Sequence, residues 1–136
     1  MHEILFRGKR MDNGEWVYGF PFSYKVGFAI EGIETWSGGR HRIDPSTVGQ
    51  YTGLTDKHGK KIFEGDVVEC LQEINGNWID KHIEIGYVEM RYGAFGLHRK
   101  QGYYRPFKDW LEDYEYEVVG NIHDSPELLE EVSDNG

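Results

Sequence analysis

Glu64 and Asp66 bracket Gly65 at the head of an apolar pair, Val67-Val68. Two carboxylates that close together can hold a divalent cation or divide acid and base roles between them. The structural reading of the same tripeptide is stronger. Gly65 frees the backbone for a bulge, and Asp66 can accept the backbone N–H bonds that close the preceding turn. His41 and Asp44 lie three residues apart, and with His2 and Glu3 or His123 and Asp124 they have the donor atoms of a metal site. Nothing in their spacing forces them to converge, so they read first as surface polar residues. Cys70 is the only cysteine and falls inside an apolar stretch, where a small buried hydrophobe is the expectation rather than a reactive thiolate. The chain contains no P-loop, no G-x-S-x-G, no H-E-x-x-H and no dinucleotide fingerprint. No catalytic residue, metal or cofactor is assigned, and folding without a metal is expected.

A second kind of chemistry is recognition by cations and rings. Arg7, Lys9 and Arg10 form one basic cluster, Arg40 and Arg42 another, and Lys57, Lys60 and Lys61 a third. Such clusters are more often solvated turns than phosphate contacts. Trp16, Tyr18, Phe20, Phe22, Tyr103, Tyr104 and Trp110 are numerous enough to include a stacking platform, although core packing accounts for most of them. Tyr103, Tyr104 and Arg105 make the most interface-like trio, because aromatic and Arg side chains are enriched where proteins meet.

These groups need elements to position them. Ile4 to Arg7 and Trp16 to Phe20 flank Met11-Asp12-Asn13-Gly14, which reads as a β-hairpin with Arg7, Lys9 and Arg10 about its turn. Lys25 to Thr35 has room for another strand, while Gly27, Gly32 and then Ser37-Gly38-Gly39 break it up and suggest an exposed loop. Val48 to Thr52 and Lys61 to Phe63 enclose the polar turn Thr55 to Gly59, a second hairpin. Val67 to Ile74 alternates between two faces and is the clearest strand. Asn75-Gly76 and Tyr92-Gly93 read as turns around Ile83 to Met90 and Ala94 to His98, with Gly86 as a bend or bulge, and Tyr116 to Ile122 as a closing strand. Pro106 to Asp113 has helical spacing over one or two turns. Ser125, Pro126 and Glu127 have the N-cap, first-position and first-turn chemistry of a helix start.

The chain has 136 residues, 38% of them hydrophobic and 15% aromatic, with 18 Gly against 4 Pro. That supports one core built from short strands and tight turns. Residues 1–61 carry nine Lys and Arg against seven Asp and Glu, and residues 62–136 carry six against seventeen, so halves of +2 and −11 make up the net −9. From Asp109 onward there are ten acids and no Lys or Arg, a distribution that repels phosphate backbones and makes nucleic acid an unfavourable partner. No apolar run approaches a membrane span or a signal peptide, which with the single cysteine points to the cytoplasm.

The segment Gly49-Gln-Tyr-Thr-Gly-Leu-Thr-Asp-Lys-His-Gly-Lys-Lys-Ile-Phe-Glu-Gly-Asp-Val-Val68 resembles the central motif of the YopX family of phage and prophage proteins, QYTGLKDKNGKEIYEGDIV. Gly14-Glu-Trp-Val-Tyr-Gly19 is similar to that family's N-terminal hairpin, and Glu117-Val-Val-Gly-Asn-Ile-His-Asp-Ser-Pro-Glu-Leu-Leu129 to its closing segment. The resemblance implies a β-rich fold with a small barrel-like unit, an origin in phage or prophage of Gram-positive bacteria, and no established activity. The family has Asn where this chain has His58 and an aromatic residue where it has His123, so neither histidine inherits a role.

The expectation is a mainly β, β-rich α+β fold of roughly seven or eight short antiparallel strands with an SH3-like barrel unit and a short C-terminal helix. It forms one domain over 1–136: a hairpin region at 1–46, a barrel-like core at 47–124 and a helix and tail at 125–136. Gly53, Asp56, Gly59, Glu64, Gly65 and Asp66 serve the structure; Arg7, Lys9, Arg10, Lys57, Lys60, Lys61, Tyr103, Tyr104 and Arg105 are candidates for interaction. The first functional reading is a non-enzymatic interaction module, a homo-oligomer that can also engage a host or phage protein. The alternatives are an acidic decoy for a basic protein and a barrel-type nucleic-acid binder or nuclease using Lys57 to Lys61.

Overall fold

The computed structural model describes residues 3–23, 30–74, 77–78, 84–91, 93–99, 104–107 and 114–129. They form twelve strands: β1 Phe6–Lys9, β2 Trp16–Phe22, β3 Gly32–Glu34, β4 Arg40–Arg42, β5 Gly49–Thr55, β6 Lys61–Phe63, β7 Asp66–Ile74, β8 Asn77–Trp78, β9 Glu84–Arg91, β10 Ala94–Arg99, β11 Tyr104–Pro106 and β12 Tyr114–Asn121. The mainly β, antiparallel class read from the sequence holds. The chain divides into two compact units, Met1–Gly53 and Leu54–Gly136, and the boundary falls inside β5. No helix among the described residues is long and apolar enough to cross a membrane.

In the first unit the strand order is β4-β3-β2-β1-β5. The expected hairpin forms: Phe6 to Lys9 pair with Gly19 to Trp16 around Met11 to Gly14. Of the two readings of Lys25 to Thr35, the strand holds at Gly32–Glu34, which forms β3, and β4 follows beyond the Ser37-Gly38-Gly39 turn, paired Gly32 with Arg42 and Glu34 with Arg40. Each strand has three residues, too few to show an alternating pattern. The sheet curls, and Ile43, just past β4, bridges back to Arg10 beyond β1. Gly8 makes room for this, since a Cβ there would lie 3.2 Å from the Ile43 Cβ. Asp44 caps a single 3₁₀ turn at Pro45–Thr47 through its carboxylate and the Ser46 N–H. Thr47, which is buried, accepts the Lys9 N–H at 2.9 Å and so ties that turn to β1. Ile33 and Ile43 are fully enclosed, with Leu5 and Tyr51 nearly so.

In the second unit the order is β11-β10-β9-β7-β12, with β8 beside β7. This sheet is open, which corrects the expected barrel-like core over 47–124: among the described residues β11 and β12 end the sheet and do not pair with each other. Ile62, Val68, Cys70, Val88, Leu97, Phe107 and Tyr116 form its core. Cys70 is a buried small hydrophobe, as its place in β7 suggested. Each such aliphatic or aromatic side chain contributes about 1.5–3 kcal/mol on burial. Gly86 is not a bend. It lies in register opposite Arg99 within β9, where a Cβ would come within 2.4 Å of the His98 carbonyl oxygen. The register shift occurs instead on β12, between Val118 and Gly120. A helix begins at Glu127, with the Leu128 N–H donating to the Ser125 carbonyl and the Leu129 N–H to the Pro126 carbonyl. Pro106 belongs to β11, and the rest of the helical piece read at Pro106 to Asp113 lies, beyond Phe107, outside the described residues, as do Asn75-Gly76.

Gly65 sits at φ 90° between β6 and β7. Its N–H donates to the Val88 carbonyl and its carbonyl accepts from the Ile122 N–H, so one residue fastens the turn to β9 and to the end of β12. Gly65→Ala should destabilise the fold by about 1 kcal/mol or more, because a Cβ is strained in that conformation. An unchanged thermal melt would contradict it.

Candidate functional site

Two acids of the central segment, Asp66 and Asp56, are taken up by the backbone. Asp66 is buried, and its Oδ2 accepts the Phe63 N–H at 2.7 Å. Asp56 is buried at the start of the Thr55 to Gly59 turn, where Oδ1 accepts the N–H groups of His58 and Lys60, both at 2.9 Å. Its Oδ2 accepts the Val118 N–H at 3.0 Å, and the Lys57 N–H donates to the Tyr116 carbonyl. Burial alone would raise the Asp56 pKa, but the N–H groups of Val118, Lys60 and His58 outweigh it and hold the carboxyl below its ordinary value. Gly53 and Gly59 adopt positive φ, 90° and 81°, beside this turn.

Arg7 is a strand residue, only 5% exposed, and not part of a turn that reaches outward. Its guanidinium lies 4.6 Å from the centre of the Trp16 ring, with the Lys9 ammonium at 5.8 Å. Lys57 pairs with Glu117 at 3.2 Å, while Lys60 and Lys61 are exposed. Tyr104 is half-buried, and its hydroxyl donates to the carbonyls of Arg91 and Ala94, which staples the β9–β10 turn. Tyr103 lies outside the described residues, and Arg105 contributes its backbone to β11, so the expected trio is not assembled by what is described.

Two features gather exposed groups in the first unit. Phe20 on β2 meets Trp36 in the β3–β4 turn edge to face, centroids 4.7 Å apart, and the two are 38% and 70% exposed. Tyr18 precedes Phe20 by two residues on the same strand and is also exposed. Beside them Arg40 donates to Glu34 at 2.9 Å and places its guanidinium 5.0 Å from the Phe22 ring. The second feature is a pocket of about 320 Å³ lined by Arg10, Met11, Asp12, Arg40, His41 and Arg42. The sequence pointed to Tyr18, Phe20 and the arginines individually. Trp36 was missed, and its only signal was a large ring inside a Gly- and Ser-rich turn. Among the described residues no three His, Cys, Asp or Glu side chains are grouped to hold a metal ion. Asp44 is spent on the 3₁₀ turn, Asp124 accepts from Asn121, and His2 lies outside the described residues.

The model of the family described as YopX protein matches residues 5–130. The chain belongs to the YopX family. A solved structure, protein EF1440 from Enterococcus faecalis, is similar to this YopX member with a TM-score of 0.58 and 21% identity, covering 95% of this chain and 99% of that one. At that identity the likeness establishes the fold. No curated protein matches the chain.

Proposed function

We propose that this YopX family member is a phage-encoded, non-enzymatic interaction module that acts as a homo-oligomer in the cytoplasm of its host. The exposed Phe20–Trp36 pair is the observation that carries the reading. A tryptophan 70% exposed and braced by a second ring is the anchor type that dominates protein interfaces. The surroundings suit a second copy in particular. A two-fold interface needs a surface complementary to itself, and Arg40 beside Glu34 offers both signs at the rim of an apolar centre. Of the acids the decoy reading would use, Glu117 is engaged by Lys57.

Sedimentation at tens of micromolar protein should show an oligomer, and Trp36→Ala should weaken its association by about 2 kcal/mol, roughly thirtyfold. The charged rim should make association moderately weaker as salt rises. A monomer at every salt concentration overturns the proposal. An oligomer indifferent to Trp36→Ala and Phe20→Ala removes this surface from it.

A further inference from the structure

Trp36 is the most exposed of the large apolar side chains described, and its ring meets Phe20 edge to face. The pocket of the same unit opens between the hairpin turn at residues 10–12 and β4. The Arg10–Ile43 bridge and the bond from the Met11 N–H to the Arg42 carbonyl set these two segments side by side. The turn is well braced. The Arg10 N–H donates to the Glu15 carbonyl, the Gly14 N–H returns to the Arg10 carbonyl, and the Glu15 N–H donates to Asn13 Oδ1 at 2.9 Å. Met11 therefore stands at the wall of the pocket on a fixed stretch of backbone, its thioether side chain 66% exposed. Arg10, Asp12, Arg40, His41 and Arg42 complete the lining, yet more of it is apolar than polar, as Met11 and the aliphatic stems of long cationic side chains allow.

We infer that this pocket receives the Trp36 side chain of a second copy, with two such contacts forming at once across a two-fold axis. The inference rests on the self-association proposed above and assigns its central contact. A volume of about 320 Å³ is at the low end of ligand sites and admits one bicyclic side chain. Binding energy concentrates where an aromatic anchor fills a desolvated pocket, and a thioether favours aromatic neighbours. A guanidinium at the wall attracts an indole through its π face, which takes up none of the N–H groups engaged elsewhere. Arg40 joins pocket and aromatic surface, since it lines the one, pairs with Glu34 and lies by the Phe22 ring. The choice of a second copy follows from placement. Among the described residues β4 ends the sheet, with the Trp36 turn ahead of its first residue, Arg40, and Met11 bonded to its last, Arg42. Setting two β4 edges antiparallel brings the Trp36 turn of each copy beside residues 10–12 of the other. Each ring then meets a pocket, whereas a foreign partner would have to supply both.

Sedimentation of the full chain as single and mixed variants tests this. Met11→Glu puts a carboxylate where the ring must seat and should weaken association about tenfold or more. Met11 is exposed in a turn, so the variant should keep the fold. Trp36→Ala removes both rings of a pair and Met11→Glu spoils both pockets, but a mixed pair keeps one ring in one sound pocket. The mixture should therefore associate about fivefold more tightly than Trp36→Ala alone, half of the roughly thirtyfold loss on a logarithmic scale. In the wild type, nuclear magnetic resonance on labelled and unlabelled copies mixed together should show the Met11 methyl of one against the Trp36 indole of the other. Oligomers weakened by Trp36→Ala but not by Met11→Glu, a mixture no tighter than Trp36→Ala alone, or no such contact between copies overturns the pocket as the seat and leaves the aromatic surface standing. Species that lengthen without limit as concentration rises overturn the two-fold pairing. A wild-type monomer at every salt concentration removes the self-association and this contact with it.

Discussion

Asp56→Ala is expected to cost about 3 to 4 kcal/mol of folding stability, a large share of what a domain of this size possesses. Its carboxylate accepts three backbone N–H groups, and bonds to a charged acceptor contribute about 1.5–3 kcal/mol each, less where water can replace them. Water reaches His58 and Lys60, which are exposed, more easily than half-buried Val118. Asp56→Asn should lie between wild type and alanine. Its one carbonyl oxygen can still accept, but its amide turns an N–H towards a donor. Urea melts decide the matter, and a loss below about 1 kcal/mol for alanine would refute this role. The pH dependence has a definite sign. A carboxyl whose folded pKa lies below its unfolded value, about 3.9, stabilises fully above that value, and the contribution disappears as pH falls through the folded pKa. The part of acid destabilisation due to this group should vanish in Asp56→Asn.

Gly19→Ala is the second large effect, expected at about 3 kcal/mol or more, the upper range for forced overpacking. A Cβ on Gly19 would stand 2.0 Å from the Glu34 carbonyl oxygen, 2.8 Å from its carbon and 3.0 Å from the Thr35 Cα. All three atoms are backbone, so no rotamer change relieves the clash. β2 and β3 must separate, and β4, which pairs only with β3 in the sheet order, follows. Amide exchange should accelerate across Gly32–Glu34 and Arg40–Arg42 ahead of the second unit. The same variant should lose the Phe20–Trp36 contact. Exchange unchanged in β3 and β4 would show that the strands accommodate the methyl group.

Much of the second unit was legible because its strands are long and its turns carry specific chemistry. Val68 and Cys70 fall on the core side of β7 as their spacing predicts, and Glu64-Gly65-Asp66 closes the turn it was assigned. The first unit was harder to read. Arg40-His41-Arg42 has no apolar residue to announce a strand, and its partner Gly32-Ile33-Glu34 has one. The candidate sites depend on that pairing, so the arginines could be noticed in the sequence without being placed in one pocket. Arg7 was expected outside because Arg usually is, yet a cross-strand ring, Trp16, receives its guanidinium in a buried position. The third acceptor bond of Asp56 joins residues sixty-two apart, a relation that local spacing cannot encode.

That long bond has a consequence for solubility. β12 is the last strand of its sheet, and such a strand presents a row of backbone donors and acceptors on which another chain can template itself. Here the Asp56-Lys57 turn occupies the middle of the row: the Val118 N–H goes to Asp56 and the Tyr116 carbonyl to Lys57, with the Lys57–Glu117 ion pair alongside. The register shift after Val118 also breaks the flatness that stacking requires. The best-marked turn in the chain therefore acts as a guard against uncontrolled strand addition, and loosening it would leave a folded protein that precipitates before it melts.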